Sequence, residues 1–351
     1  AAPVHAGPRE LLTTHLRPFR VAADAGVGAM MAAYHDIDGV PCHVDGWLLG
    51  DLIRGTWGWE GMVTSDGFGV PQLATVHGVA TDAGDAARQA ITAGVDAEVP
   101  EGVGFPHLVE LVRSGATDES VIDRALVRVL TVKKRLGLIG EGSPPPGPLI
   151  SVVNSPAHRE LALRAARRSA VLLCNDPVDG RPVLPLPADV GVIAVIGPNA
   201  DAVHLGGYSA DPGFGIPVLD GLRQRFGADR VRHAVGCRIS EASGARAWWD
   251  DDSVPVDPRS QDGPIEEAAA VAAASEVAVM VIGGDESTAR EAWTTDRRGD
   301  RASLELPGRQ IDLLYAVAGT GTPMVAVVTG GRPLDLGPVL DTCDAVLQVW
   351  Y

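Results

Sequence analysis

The stretch Gly140 to Pro148 reads GEGSPPPGP, and its four prolines and three glycines constrain this chain more than any other feature. Proline has no backbone N–H and a fixed φ, so neither a helix nor a central strand passes through such a run. The segment 140–150 reads as a semi-extended linker, and it divides the chain into two parts, 1–139 and 151–351. A length of 351 residues leads to the same expectation of two domains.

Both parts alternate helical and strand patterns. Before the linker, Trp47–Arg54 groups Leu48, Leu49, Leu52 and Ile53 on one side of a helix, and Gly61–Ser65 is a short buried strand. Asp82–Thr92 is helical with Gly94 as its stop, and Val95–Val99 is expected to be a further strand. The clearest helix runs from Asp118 to Leu136, with Val121, Ile122, Ala125, Leu126, Val129 and Leu130 on one stripe. Its basic end, Lys133-Lys134-Arg135, complements the helix dipole.

After the linker, helices are expected at Glu160–Ser169, Ile265–Ser275 and Gln310–Ala318. The strands are Ala170–Cys174, Gly191–Ile196, Val277–Ile282, Met324–Val328 and Ala345–Val349. Apolar strands separated by helices imply a mostly parallel sheet covered on both faces. The class is α/β in both parts. An eight-stranded barrel takes about 250 residues, so the first part is too short to close one.

Composition narrows the function classes. The chain is 46% apolar and 21% charged, enough for real cores and too little charge for wholesale disorder. A net charge of −16 repels phosphate backbones and anionic bilayers, so neither nucleic acid nor membrane is an expected partner. There is no run of eighteen apolar residues, and Ala1–Glu10 lacks the apolar centre of a signal peptide. The compartment and oligomeric state stay open, with the cytoplasm the expected location. The chain lacks a starting Met and reads as cut from something longer. Cys42, Cys174, Cys237 and Cys343 form no C-x-x-C pair, so buried free thiols are expected rather than a zinc site or disulfide scaffold. No His pair has metal-binding spacing, and no cofactor or metal is expected.

Chemistry is expected where chains leave the carboxyl ends of strands. Asp66-Gly67-Phe68-Gly69 comes directly after the strand Gly61–Ser65, and Asp66 is either a reactive carboxylate or the cap of the next helix or loop. The segment Gly283–Arg301 leaves the strand Val277–Ile282 with Glu286, Glu291 and Trp293. It is either half of a glycosidase carboxylate pair with an aromatic sugar platform, or a solvated charged loop. Gly197-Pro198-Asn199-Ala200-Asp201 lacks the Lys and Ser/Thr of a phosphate loop.

Several runs, in order along nearly the whole chain, resemble glycoside hydrolase family 3. They are Gly28–Pro41 (GAMMAAYHDIDGVP), Leu48–Asp66 (LLGDLIRGTWGWEGMVTSD), the helix Val121–Leu138 with its Lys-x-x-Leu-Gly-Leu ending, Val195–Asp201 (VIGPNAD), and Gly299–Arg301 with Leu306–Gln310. The resemblance implies the carboxyl-terminal half of a (β/α)8-type barrel, then an incomplete α/β sandwich with a mostly parallel sheet. It places Asp66 at the family's nucleophile, Tyr34 at a Tyr that supports it, and Met31 in the innermost sugar subsite. Glu291 stands for the acid/base, with Glu286 as the alternative and Trp293 beside it. Phe68 stands one place past the family's aromatic position, which here is Gly67, and His35 replaces an Asn.

The implied activity is a retaining, exo-acting β-glycoside hydrolase that removes a terminal sugar from an oligosaccharide or an aryl or alkyl β-glycoside. A β-glucoside is expected first and a β-xyloside second. The first half of the family's barrel and the segment after Tyr351 are missing from this sequence. A chain of low stability and little activity is therefore expected, and a fragment that only binds carbohydrate or a partner is the competing reading.

Overall fold

A computed structural model describes residues 3–99, 102–140, 152–206, 209, 212–241, 254–285, 288, 301 and 303–351. The linker and its neighbours, 141–151, lie outside them. The chain forms two compact units, Ala1–Leu149 and Ile150–Tyr351.

In the first unit, α1 (Arg17–Asp24) leads to β1 (Ala29–Met31), and a wide-turn helix (Trp47–Thr56) leads to β2 (Met62–Thr64). Then come α2 (Gly69–Thr75), α3 (Ala83–Ala93), α4 (Leu108–Arg113) and α5 (Glu119–Arg135). β1 and β2 pair in parallel, with Met30 opposite Val63 and Met31 opposite Thr64. Around them a core gathers Leu49, Ile53 and Trp59 with Leu73, Ala87 and Ile91. Asp82 caps α3 by accepting the Asp85 N–H, and Asp118 caps α5 through the Ser120 N–H.

Two expectations are corrected here. Val95–Val99 is no strand, since only a single parallel bridge joins Ala97 to Thr64. The carboxylate of Asp96 takes the Val63 N–H that a ladder carbonyl would otherwise accept, at 2.8 Å. The apolar stripe of α5 is only partly covered. Ala125 is buried, and Val121 and Ile122 pack on the core, but Leu126 and Leu130 are exposed.

The second unit is built on a six-stranded mixed sheet. Its strands are β3 (Val171–Asn175), β4 (Ile193–Ile196), β5 (Val231–Ala234), β6 (Val277–Gly283), β7 (Met324–Thr329) and β8 (Ala345–Val349). The spatial order is β3-β8-β7-β6-β4-β5; only β3 runs antiparallel to its neighbour. Successive side chains of a strand point to opposite faces, and the apolar runs divide accordingly. Ala278, Met280 and Ile282 join one core with Leu313 and Leu314 of α9 (Gln310–Ala318). Before it come α6 (Pro156–Ser169), α7 (Val218–Phe226) and α8 (Asp262–Ala273). Val277, Val279 and Val281 join the other core with Leu219 of α7. Helix α6 buries none of its residues, and Val171 to Leu173 of β3 are exposed. The Trp350 indole N–H donates to the carbonyl of Ser169, the last residue of α6, at 3.0 Å.

All four cysteines are free thiols. Cys42, Cys237 and Cys343 are buried as expected, whereas Cys174 on the edge strand β3 is only half-buried. Among the described residues no helix is long and apolar enough to cross a membrane.

Candidate active site

Strand β2 is three residues long, and its end is held from both sides. Ser65 is fully buried, and its N–H donates to the Ala97 carbonyl at 2.8 Å. The Val99 N–H donates to its hydroxyl at 3.0 Å. The backbone then turns: the Gly69 N–H donates to the Asp66 carbonyl at 3.0 Å, and Phe68 adopts φ 57°. That left-handed conformation is rare for a bulky residue and costs about 1–3 kcal/mol. The turn brings Asp66 out half-buried at the carboxyl end of the strand.

The Asp66 carboxylate does not cap α2, whose N-terminus has no side-chain cap. Instead Oδ1 accepts the N–H of Gly67 at 2.8 Å. Oδ2 has no hydrogen-bond partner among the described residues.

Two side chains from the segment after β1 close on this turn. The Tyr34 hydroxyl donates to the carbonyl of Gly67, so it meets the backbone beside Asp66. His43 accepts the Asp66 N–H on Nε2 at 3.2 Å and is 1% exposed. The Ala33 backbone also bonds the ring and favours its protonated form. Burial pushes this imidazole down to about 4; the Asp66 carboxylate pulls it back up, and His77 pushes it further down. His77 in turn donates its Nε2–H to the Tyr34 carbonyl at 2.9 Å.

Of the residues singled out from the sequence, Asp66, Tyr34 and Phe68 gather at this turn. Phe68 is 44% exposed. Met31 lies at the end of β1 and lines an apolar cavity of ≈ 350 Å³ with Leu11, Leu16, Met30, Ile53 and Trp57, which Asp66 does not line. Glu286, Glu291 and Trp293 lie outside the described residues.

The family-like run Gly28–Pro41 ends two residues before His43, a lone histidine in no spaced pair. No sequence motif marks the triad behind β2 either. Asp96, 1% exposed at its side chain, accepts Arg54 Nη2 at 2.7 Å and Arg128 Nη1 at 2.8 Å. The same carboxylate takes the Val63 N–H, so it fixes the strand that delivers Asp66.

In the second unit the described part of the charged loop begins at a well-anchored strand end. Gly283 sits at φ 131°, where a Cβ would lie 1.9 Å from the Thr329 carbonyl oxygen, so only glycine fits. The Gly283 N–H donates to Gln310 Oε1, and Gln310 Nε2 donates to the Gly283 and Pro307 carbonyls. Asn199 Nδ2 donates to the Gly284 carbonyl at 2.9 Å. Asp285 accepts the Ser240 hydroxyl at 3.0 Å and the Thr288 N–H at 2.9 Å. Both buried amides lie in the runs Val195–Asp201 and Leu306–Gln310, where sequence reasoning assigned them no role. Among the described residues no cluster of His, Cys, Asp or Glu has metal-binding geometry.

Residues 1–132 match the glycosyl hydrolase family 3 N-terminal domain, and residues 170–351 match the glycosyl hydrolase family 3 C-terminal domain. A periplasmic beta-glucosidase of Salmonella typhimurium is 33% identical, over 98% of this chain and 45% of its own length. A beta-xylosidase of Formosa agariphila is also 33% identical, over 98% of this chain and 46% of its own. Among solved structures, a β-glucosidase from Erythrobacter marinus superposes with a TM-score of 0.89 at 40% identity, over 100% of this chain and 47% of that one. A β-glucosidase from Listeria innocua in complex with glucose gives 0.80 at 28% identity, over 99% and 44%. The chain thus spans less than half the length of these relatives. The Salmonella relative, named as periplasmic, overturns the expectation of a cytoplasmic location. Compartment is set by address segments, and the body of a chain carries little trace of it.

Proposed function

The chain belongs to glycoside hydrolase family 3, and from that premise we propose that it carries the nucleophile of a retaining, exo-acting β-glycoside hydrolase. Asp66 is the nucleophile. Its carboxylate attacks the anomeric carbon while a carboxylic acid protonates the departing glycosidic oxygen, leaving a covalent glycosyl-aspartate. Water then attacks the same carbon, the acid's conjugate base takes its proton, and Asp66 departs as carboxylate. Two displacements give net retention.

The observation that carries this reading is the turn after β2. It leaves Asp66 half-buried at the carboxyl end of the strand, with Oδ1 held by the Gly67 N–H at 2.8 Å and no hydrogen-bond partner for Oδ2 among the described residues. Tyr34 serves as the residue that steadies this turn, and Phe68 and Met31 are proposed as sugar contacts. Glu291 is the proposed acid/base, with Glu286 as the alternative and Trp293 as an apolar neighbour that would raise its pKa in the needed direction.

The units are read as a domain at 1–139 with the carboxyl-terminal half of a (β/α)8-type barrel, a linker at 140–150, and an incomplete α/β sandwich at 151–351. The substrate is an oligosaccharide or an aryl or alkyl β-glycoside. A β-glucoside is preferred because the Salmonella, Erythrobacter and Listeria relatives are named β-glucosidases. A β-xyloside is second, on the Formosa relative.

The test is a 2-fluoro-β-glucoside with a good leaving group, which accumulates the covalent intermediate. The expected result is one added fluoroglucosyl mass on the peptide that holds Asp66. Recovery of the unmodified peptide after long incubation overturns the enzymatic reading and leaves a chain that only binds carbohydrate or a partner. The 2-fluoroxyloside run in parallel decides between the sugars.

A further inference from the structure

We propose that His43 is a positioning residue for the Asp66 carboxylate, acting through the backbone N–H that its Nε2 accepts. The inference rests on the reading of Asp66 as nucleophile and adds a residue to it. Three backbone groups flank that carboxylate, and each has a side-chain partner. The N–H of Asp66 goes to His43 Nε2 at 3.2 Å. The N–H of Gly67 goes to Asp66 Oδ1 at 2.8 Å. The carbonyl of Gly67 receives the Tyr34 hydroxyl. The first and third contacts fix the backbone from which the side chain departs, and the second fixes its rotation. Removing the first frees the peptide that sets the Cα–Cβ direction of Asp66.

The structure reserves space for this contact. A Cβ at position 69 would lie 2.3 Å from His43 Nε2 and 2.5 Å from its Cε1, so Gly69 is what lets the ring reach the turn. His43 is 1% exposed, and because the Asp66 N–H can only donate, the Nε2 it meets carries the lone pair and the neutral ring's proton sits on Nδ1. A core histidine that merely fills volume needs neither a backbone amide as its donor nor a glycine opposite its acceptor nitrogen. Burial holds the ring neutral, against Asp66 and together with His77, so the acceptor persists into mildly acidic solution.

The full chain is used with two variants. His43→Leu keeps bulk and removes the acceptor; His43→Gln offers Oε1 near the Nε2 position. Long-range nitrogen–proton spectra of the wild-type chain should show His43 protonated on Nδ1 with a hydrogen-bonded Nε2. In His43→Leu the Asp66 and Gly67 amide resonances should move, and the rate constant of fluoroglucoside labelling should fall about ten- to a hundredfold. The reagent's half-saturating concentration should stay the same. His43→Gln should recover most of the rate. Labelling of His43→Leu at the wild-type rate, or an unmoved Gly67 amide, overturns the proposal. So does a wild-type ring protonated on Nε2, a result that needs no variant to fold. If the amides move but no chain labels, the positioning contact stands and the nucleophile assignment falls.

Discussion

The carboxylate of Asp66 turns back on its own neighbour, its Oδ1 accepting the Gly67 N–H at 2.8 Å. That bond holds one oxygen against the following peptide, and the other has no hydrogen-bond partner among the described residues. An amide side chain at this position keeps the shape and loses the negative charge that would attack. Asp66→Asn should therefore remove labelling and turnover by about 10⁴-fold or more while leaving folding intact. Mass spectrometry after fluoroglucoside treatment, beside a denaturation curve, checks both halves.

His43 makes stability depend on pH. Its folded value of about 4 lies below the ordinary 6.5, so the unfolded chain binds the proton more readily. Stability is full above about 6.5 and falls as pH drops toward about 4, by up to about 3 kcal/mol. Urea denaturation across that window should show a slope in the wild-type chain that flattens in His43→Gln. Equal slopes would dissociate the ring from the acid sensitivity.

Asp96 neutralises two arginines and holds the Val63 N–H. Asp96→Ala leaves those cations facing one another with no counter-charge, and should cost about 3–5 kcal/mol. Arg128→Ala should cost less, because its side chain is 28% exposed and Arg54 remains to balance the carboxylate. Paired denaturation curves test this ordering.

Gly283→Ala drives a methyl group into the Thr329 carbonyl from a backbone conformation closed to alanine. It should destabilise the second unit by at least about 2 kcal/mol. Limited proteolysis should find new cuts between 152 and 351 and none in 3–140.

The thiols should differ in reactivity. Burial pushes Cys42 up to about 11, and Cys237 and Cys343 up to about 12. Cys174 is also raised by burial, but it is half-buried on an edge strand. A disulfide reagent at mildly alkaline pH should modify Cys174 first and the other three only on unfolding.

The sheet of the second unit was legible because its cause is local. The run Val277 to Gly283 is apolar on every residue, which only a strand buried on two faces requires, and its alternate side chains do enter two separate cores. The helix starts at Asp82 and Asp118 were legible for the same reason: the capping bond at each closes within three residues. Val95–Val99 misled because its two valines gave no sign that Asp96 would take a ladder N–H itself. His43 lies 23 residues from the amide it accepts, and Asn199 lies 85 from the carbonyl it serves. Contacts at such separations leave no period in a sequence. Position after a strand marked Asp66 as either a reactive carboxylate or a cap, and only resemblance to a family gave it and Tyr34 their roles.

Helix α6 buries none of its residues, and the Trp350 indole donates to the carbonyl of its final residue. An isolated fourteen-residue helix is marginal in water, so among the described residues the Ser155 cap at its start and the Trp350 contact at its end carry much of its order. Amide protons of 156–169 should exchange with solvent ahead of those in the sheet, and the emission of Trp350 should report the same opening. The indole works as a clasp, and whatever loosens it releases the helix.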